Sequence, residues 1–113
     1  MYKQAIIINS SIRMSKGKAA AQAAHAAVSA FFQSNLHIAK EWKRQGQKKI
    51  IVKSSLDGIK DAEEKCRKLK LPHALIADAG MTELEPGTIT ALGIGPDEEE
   101  KINRVTGSMK LLK

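Results

Sequence analysis

Apolar runs and helix-patterned segments alternate along this 113-residue chain. That alternation predicts an α/β fold: one layered domain over residues 1–113, with a mixed, mostly parallel four-stranded sheet flanked by helices. Three observations carry the prediction. Ile6, Ile7 and Ile8 are continuous rather than alternating, as in a strand covered on both faces. A long alanine-rich stretch from Ala19 follows after a glycine-containing turn, and alanine is the strongest helix former. Further apolar runs recur around Ile50–Val52, His73–Ala77 and Ile89–Ile94, without repeats, linkers or low-complexity segments between them.

Taken in order, Tyr2 to Asn9 reads as the first, buried strand. A helix starts near Lys16 or Gly17 and runs to about Phe32, breaking at Ser34–Asn35, where two poor interior residues meet. Leu36 to Arg44 is helical again, with Leu36, Ala39 and Trp42 at three-residue spacing, and Gly46 ends it. Lys49 to Ser54 is the second strand. Leu56 to Lys70 is a helix with Ile59, Ala62, Cys66 and Leu69 on its inner face, and Pro72 leads into the third strand, His73 to Ala77. Asp78 to Thr88 has the composition of a functional loop, and Ile89 to Ile94 is the fourth strand. Pro96 then opens a short helix with Asp97, Glu98, Glu99 and Glu100 in its first turn, where acids complement the helix dipole. Val105 to Leu112 reads as a terminal strand or an ordered tail.

Composition narrows the function classes. Hydrophobic residues at 42% and charged residues at 27% are ordinary globular values. The longest apolar stretch, Ala19 to Phe32, is interrupted by Gln22, His25 and Ser29, and the start of the chain lacks a signal-peptide pattern. A protein of the cell interior, with no membrane association, is the expectation. Cys66 is the lone cysteine, which excludes an internal disulfide and a multi-cysteine metal site. It reads as a small core residue despite Lys65, Arg67 and Lys68 beside it. No spaced ligands surround His37 or His73, so neither a metal nor another cofactor is expected. The formal charge of +7 points to an anionic partner, nucleic acid first. The cations gather in two segments, Lys40, Lys43, Arg44, Lys48 and Lys49, then Lys65, Arg67, Lys68 and Lys70.

Two blocks carry chemistry. Lys18, Gln22, His25 and Ser29 fall within about 60° of one another on a helix, a polar stripe on an alanine background. Gly17–Lys18 after a strand invites a phosphate-loop reading, but Ile12 and Ala19 stand where that pattern needs glycine and a hydroxyl. What remains is a helix start whose backbone N–H groups, with Lys16 and Lys18, can hold a phosphate or an oxyanion. His25 reads equally as a general base or as a structural histidine bonded to a neighbouring element. The second block holds Asp78, Gly80 and Thr82, then Pro86–Gly87–Thr88 and Thr90. It reads as a site or as a turn capped by hydroxyls. Both blocks follow strands, so both can border one mouth at the carboxyl ends of the sheet.

Together these blocks resemble the type II, archaeal and eukaryotic, peptidyl-tRNA hydrolase family. The resemblance runs from Lys3 to Lys113. It rests on Lys3–Gln4, Met14, Gly17–Lys18, Ala20–Ala21–Gln22, Ala24–His25–Ala26–Ala27 and Trp42, then on Gly46 to Ile50 and Leu71–Pro72. It continues through Asp78–Ala79–Gly80, Thr82, Pro86–Gly87–Thr88, Thr90, Ile94–Gly95–Pro96, Val105–Thr106–Gly107 and Lys110–Leu111–Leu112. Asn9 and Ser11 stand where the family usually has an arginine and an aspartate, and Lys70 replaces a common glycine. The resemblance implies hydrolysis of the ester joining peptide to tRNA, by a cytoplasmic homodimer, and the short chain suggests an archaeal form. It implies Lys18, Asp78, Thr82 and Thr90 as the catalytic set. Lys16, Gly17, Gln22, His25, Gly80 and Thr88 are then expected to bind substrate. A non-catalytic RNA-binding domain using the same basic surface is the alternative.

Overall fold

The computed structural model describes residues 1–80 and 84–113. In chain order the elements are β1 (Tyr2–Asn9), α1 (Lys16–Gln33), α2 (Leu36–Arg44), β2 (Lys49–Ser54), α3 (Leu56–Leu69), β3 (His73–Ala77), β4 (Ile89–Glu98), α4 (Glu99–Thr106) and β5 (Lys110–Leu111). Polar caps set the helix starts as the sequence demands. The side chains of Ser15, Asn35 and Ser55 accept from the backbone N–H three residues on, at Lys18, Ile38 and Gly58. Ser34, the C-cap of α1, and Asn35, the N-cap of α2, make the break between the two helices.

The strands form one sheet in the order β3-β4-β1-β2-β5. Only β1 and β2 pair in parallel; β4 is antiparallel to both β1 and β3, and β5 is antiparallel to β2. The expected mostly parallel four-stranded sheet is thus corrected to a five-stranded, mostly antiparallel one among the described residues. The reason is the connection. A parallel crossover needs a dozen or more residues, usually a helix, and the segment 78–88 carries none among its described residues. β4 therefore doubles back beside β3 and slots between it and β1. The fifth strand is the two-residue Lys110–Leu111, in the segment Val105–Leu112 read as a terminal strand or an ordered tail, of which Val105 and Thr106 instead belong to α4.

The fourth strand also runs past Ile94 to Glu98, so α4 begins at Glu99 rather than at Pro96. Between the pairs Lys3↔Asp97 and Ala5↔Ile94 the register shifts, leaving Gly95 and Pro96 opposite Gln4. A bulge accommodates a proline because no ladder N–H is required of it. Gly95, with φ of +90°, fills the left-handed position there.

The sheet is covered on both faces. On one side α3 and α4 bury Ile59, Ala62, Cys66, Ile102 and Val105 against Ala5, Ile7, Val52, Leu92 and Ile94. On the other, α1 lays Ala26 over Ile6, Ile8 and Ala91. Here the helix approaches the sheet closely: a Cβ on Gly93 would lie 2.3 Å from the carbonyl oxygen of Ala26. Gln4 Nε2 reinforces the contact by donating to the carbonyls of Ala27 (2.9 Å) and Gly95 (3.2 Å). The alanine content of α1 is what permits this approach, and it places the first turns of α1 against β3 and β4.

Candidate active site

Because β4 is antiparallel to β1 and β3, its first residues meet the last residues of both. Asn9 ties this end together: Nδ2 donates to the carbonyl of Ile89 (2.8 Å), while Oδ1 accepts from Ser11 N (2.8 Å). Ser11 Oγ in turn accepts from Leu56 N at the start of α3. The two residues that depart from the family pattern thus brace the β1–α1 loop through polar bonds of their own.

Lys18, in the first turn of α1, makes an ion pair with Asp78, the residue after β3. Their side chains are 8% and 5% exposed, so the pair is shielded from bulk water. Asp78 Oδ2 also accepts from Gly80 N (2.8 Å), an Asx turn around the carboxylate. Gly80 has φ of +79°, and a Cβ there would meet the Pro86 ring at 2.4 Å, which makes glycine necessary at this point. The Lys18 bond, the Gly80 N–H and the charges of Lys18 and His25 hold the Asp78 carboxyl below its ordinary range, against the opposing effect of burial. An ionised carboxylate fixing an ammonium is therefore the resting state at neutral pH.

Beneath this pair, Thr90 Oγ1 donates to Gln22 Oε1 (2.5 Å). Thr90 is fully buried and Gln22 is 3% exposed. The Ile76/Ala77 register shift leaves Thr90 as an extra residue on β4, since Ile76 pairs with Ala91 and Ala77 with Ile89. Thr90 and Ala91 consequently both face α1, where unbroken alternation would send them to opposite sides. The bulge is what aims the Thr90 hydroxyl at Gln22.

The remaining candidates divide. His25 is exposed on α1, one turn beyond Gln22, and lies near enough to Asp78 to influence its charge, without a cross-element hydrogen bond among the described residues. Lys16 and Gly17 are exposed at the helix start, and the space around Gly17 is open. Thr88 closes the loop: its N–H and its hydroxyl both reach the carbonyl of Glu85, at 3.2 and 2.8 Å, as a capped turn does. Thr82 lies outside the described residues. Sequence reasoning gave no structural role to Ser15, although a serine directly before a helix is an N-cap signal. Asn9 carried no such signal, because its partner Ile89 is remote in sequence. Burial pushes the Cys66 thiol up to about 12, with Glu63 adding to the effect, so this thiol is a core group.

The basic segments are partly self-neutralised. Arg44 pairs with Glu41, Lys65 with Asp61, Arg67 with Glu63 and Glu64, and Lys48 with Glu99. Among the described residues no cluster of three His, Cys, Asp or Glu side chains could hold a metal, and no helix is long and apolar enough to cross a membrane.

Comparison with known proteins matches the chain to a family. Residues 2–112 fit the model described as Peptidyl-tRNA hydrolase PTH2. A peptidyl-tRNA hydrolase of Methanopyrus kandleri is 47% identical over 116 residues, covering all of both chains. One from Staphylothermus marinus is 53% identical, covering 98% of this chain and 95% of its own. Another, from Saccharolobus solfataricus, is 50% identical over 99% of this chain and all of its own. With its sheet, its buried Lys18–Asp78 pair and these full-length matches, the chain belongs to the PTH2 family of peptidyl-tRNA hydrolases.

Proposed function

We infer that this protein hydrolyses the ester between the peptide and the terminal ribose of peptidyl-tRNA, freeing both for reuse. The observation that carries the chemistry is the shielded Lys18–Asp78 pair. Water attacking the ester carbonyl produces a tetrahedral oxyanion, and a preorganised cation beside it lowers that barrier most where bulk water is excluded. Asp78 fixes the direction of the Lys18 side chain through their ion pair. Gln22, with Oε1 engaged by Thr90, is left to offer its Nε2 hydrogens to the substrate. Thr90 therefore acts through Gln22 as a positioning residue. Around this pair, Lys16, Gly17, His25 and Gly80 are assigned to substrate binding and Thr88 to holding its loop, and Thr82 belongs to the set that the family resemblance implies.

An RNA-binding domain without catalysis fits less well. A site built only to hold phosphate gains nothing by neutralising its own lysine with a buried carboxylate. The reading takes residues 1–113 as one hydrolase domain acting in the cytoplasm as a homodimer. Val28, Phe32 and Leu36, exposed around the α1–α2 junction, supply apolar surface for the second copy.

Incubation with peptidyl-tRNA is expected to release free tRNA. Lys18→Ala and Asp78→Ala should each lower kcat by about 100-fold or more, with an unchanged circular dichroism spectrum. Near-normal turnover by either folded variant removes that residue from the mechanism, and absence of tRNA release by the wild type removes the function. Sedimentation at micromolar concentration tests the dimer.

A further inference from the structure

β2 and β5 pair so that Lys53 stands directly opposite Lys110. Like charges at directly opposed positions of an antiparallel ladder repel. Here the repulsion has no local remedy, since neither lysine makes an ion pair with a described residue. Elsewhere the molecule does the reverse: Arg44, Lys65 and Arg67 each have an acid one helical turn away. Lys53 pairs across the sheet with Ile8, which faces α1, so Lys53 and Lys110 lie on the α1 side of the sheet. α1 itself lies over β1, β3 and β4, which leaves this edge uncovered.

Two clefts adjoin here. One, of about 500 Å3, is lined by Arg13, Lys53 and Lys113 with the hydroxyls of Ser10 and Ser11. The other, of about 320 Å3, shares Lys53 and Lys113 and adds Lys110. No acidic side chain lines either one among the described residues. With Lys113, the cations lining the two clefts are Arg13, Lys53 and Lys110. The larger cleft also reaches Met14 and Ala19, the latter next in sequence to Lys18.

We propose that Arg13, Lys53 and Lys110 form a phosphate cradle for the RNA half of the substrate. The cradle takes a backbone phosphate of the tRNA acceptor end while the ester on the terminal ribose lies at Lys18. This rests on the peptidyl-tRNA reading above and adds the place where the RNA backbone is held. A bound phosphodiester supplies the negative charge that the Lys53–Lys110 ladder pair lacks. Ser10 and Ser11 offer neutral hydrogen bonds to the same oxygens, as is common in phosphate recognition. Because these cations position the backbone and do not touch the ester, their loss should alter binding and leave the chemical step alone.

The test measures affinity for uncharged tRNA, and separately turnover of peptidyl-tRNA, over a range of salt. For Lys53→Gln/Lys110→Gln, tRNA affinity and KM should each worsen about tenfold at low salt. The slope of log K against log salt should become shallower by roughly 0.7 to 1. At saturation, kcat should match wild type, and an N-acylated aminoacyl-adenosine, which has no backbone phosphate, should be cleaved equally by both proteins. Lys110→Glu gives a sharper outcome: it creates an ion pair with Lys53, so the melting temperature should rise while tRNA affinity falls further. Wild-type affinity and slope in the Gln/Gln variant overturn the cradle. So does an equal loss on the small ester, which would mean a disturbed active site. Failure of the wild type to release tRNA overturns the hydrolase reading instead, because tRNA affinity of the same variants is read independently of turnover.

Discussion

The two faces of the sheet solve the packing problem in opposite ways. Beneath α3 and α4 the contact is made by bulky aliphatics, with Ile7, Ile59, Leu92, Ile94 and Ile102 all fully enclosed. Beneath α1, Ile6 and Ile8 are met by small residues, Ala26, Ala30, Ala91 and Gly93, and by buried polar groups, Gln4, Gln22 and Thr90. Burial of large apolar side chains is where most folding free energy arises. Close backbone approach supplies less of it but fixes distances tightly, because a carbonyl oxygen cannot yield as a methyl group can. The catalytic candidates sit on the thin side. The difference indicates that stability and site geometry are carried largely by different faces, so they can be perturbed separately.

Truncation on the thick side should give the largest loss of stability. Ile59→Ala removes a fully buried side chain from the α3 layer and is expected to cost about 2–5 kcal/mol. Below its melting temperature, kcat should stay near wild type. Gly93→Ala is the mirror experiment. Its added methyl meets the Ala26 carbonyl and must push α1 outward, at about 1–3 kcal/mol. Because α1 carries Lys18 and Gln22, kcat should fall as well. Denaturant melts and steady-state kinetics on both variants decide the matter. If Gly93→Ala leaves kcat intact while Ile59→Ala lowers it, the division between the faces is broken.

Much of this was legible in the sequence, and the failures share one cause. Periodicity and helix-breaking residues placed every helix start except that of α4, because those signals are local. Lys18, Gln22 and Asp78 were readable for the same reason: a helix stripe and a post-strand turn are short-range patterns. Strand direction was not, since β4 pairs with β1 across most of the chain, and no local feature of Ile89–Ile94 says which neighbours it takes. The clue that existed was the lack of a helical pattern between His73–Ala77 and Ile89–Ile94, which favours a return over a crossover. The Thr90 bulge and the β4 extension through Pro96 were hidden similarly, because a bulge is defined by the partner strand. His25 shows the limit of the stripe itself. Helical spacing puts it beside Gln22, but only the packing of α1 decides that one is buried and the other exposed.

A smaller and pH-dependent effect sharpens the account of the thin side. The carboxyl of Asp78 is held below its ordinary range in the folded protein, so its charge stabilises the native state above the unfolded carboxyl pKa of about 4. That contribution fades as pH drops through the lowered folded value. Asp78→Asn should therefore melt below wild type at pH 7, and the gap should begin to close only below about pH 4. A gap that narrows already between pH 7 and pH 5 would mean that the Lys18–Asp78 pair does not hold the carboxylate as described. Low-pH melts of the two proteins in one buffer series make the comparison.

The smallest expected effect lies on the thick side, at the end of α3. Lys70 adopts φ of 56° and ψ of 39°, the left-handed conformation in which a side chain is disfavoured and glycine is not. Its backbone N–H closes the helix onto the carbonyls of Arg67 and Cys66, a bond that needs no side chain. The side chain is exposed and makes no ion pair with a described residue. Lys70→Gly should thus relieve backbone strain with little else lost, stabilising the protein by up to about 1 kcal/mol. Part of the gain is offset by the greater freedom of glycine in the unfolded chain, which caps the figure there. Turnover should be unchanged, because α3 is separated from Lys18 and Asp78 by the thickness of the sheet. A raised denaturation midpoint with unaltered kcat and KM is the expected result. A gain in stability accompanied by a change in kcat would show that strain at the end of α3 is transmitted through β3 to Asp78, and the two faces would then have to be treated as one coupled unit.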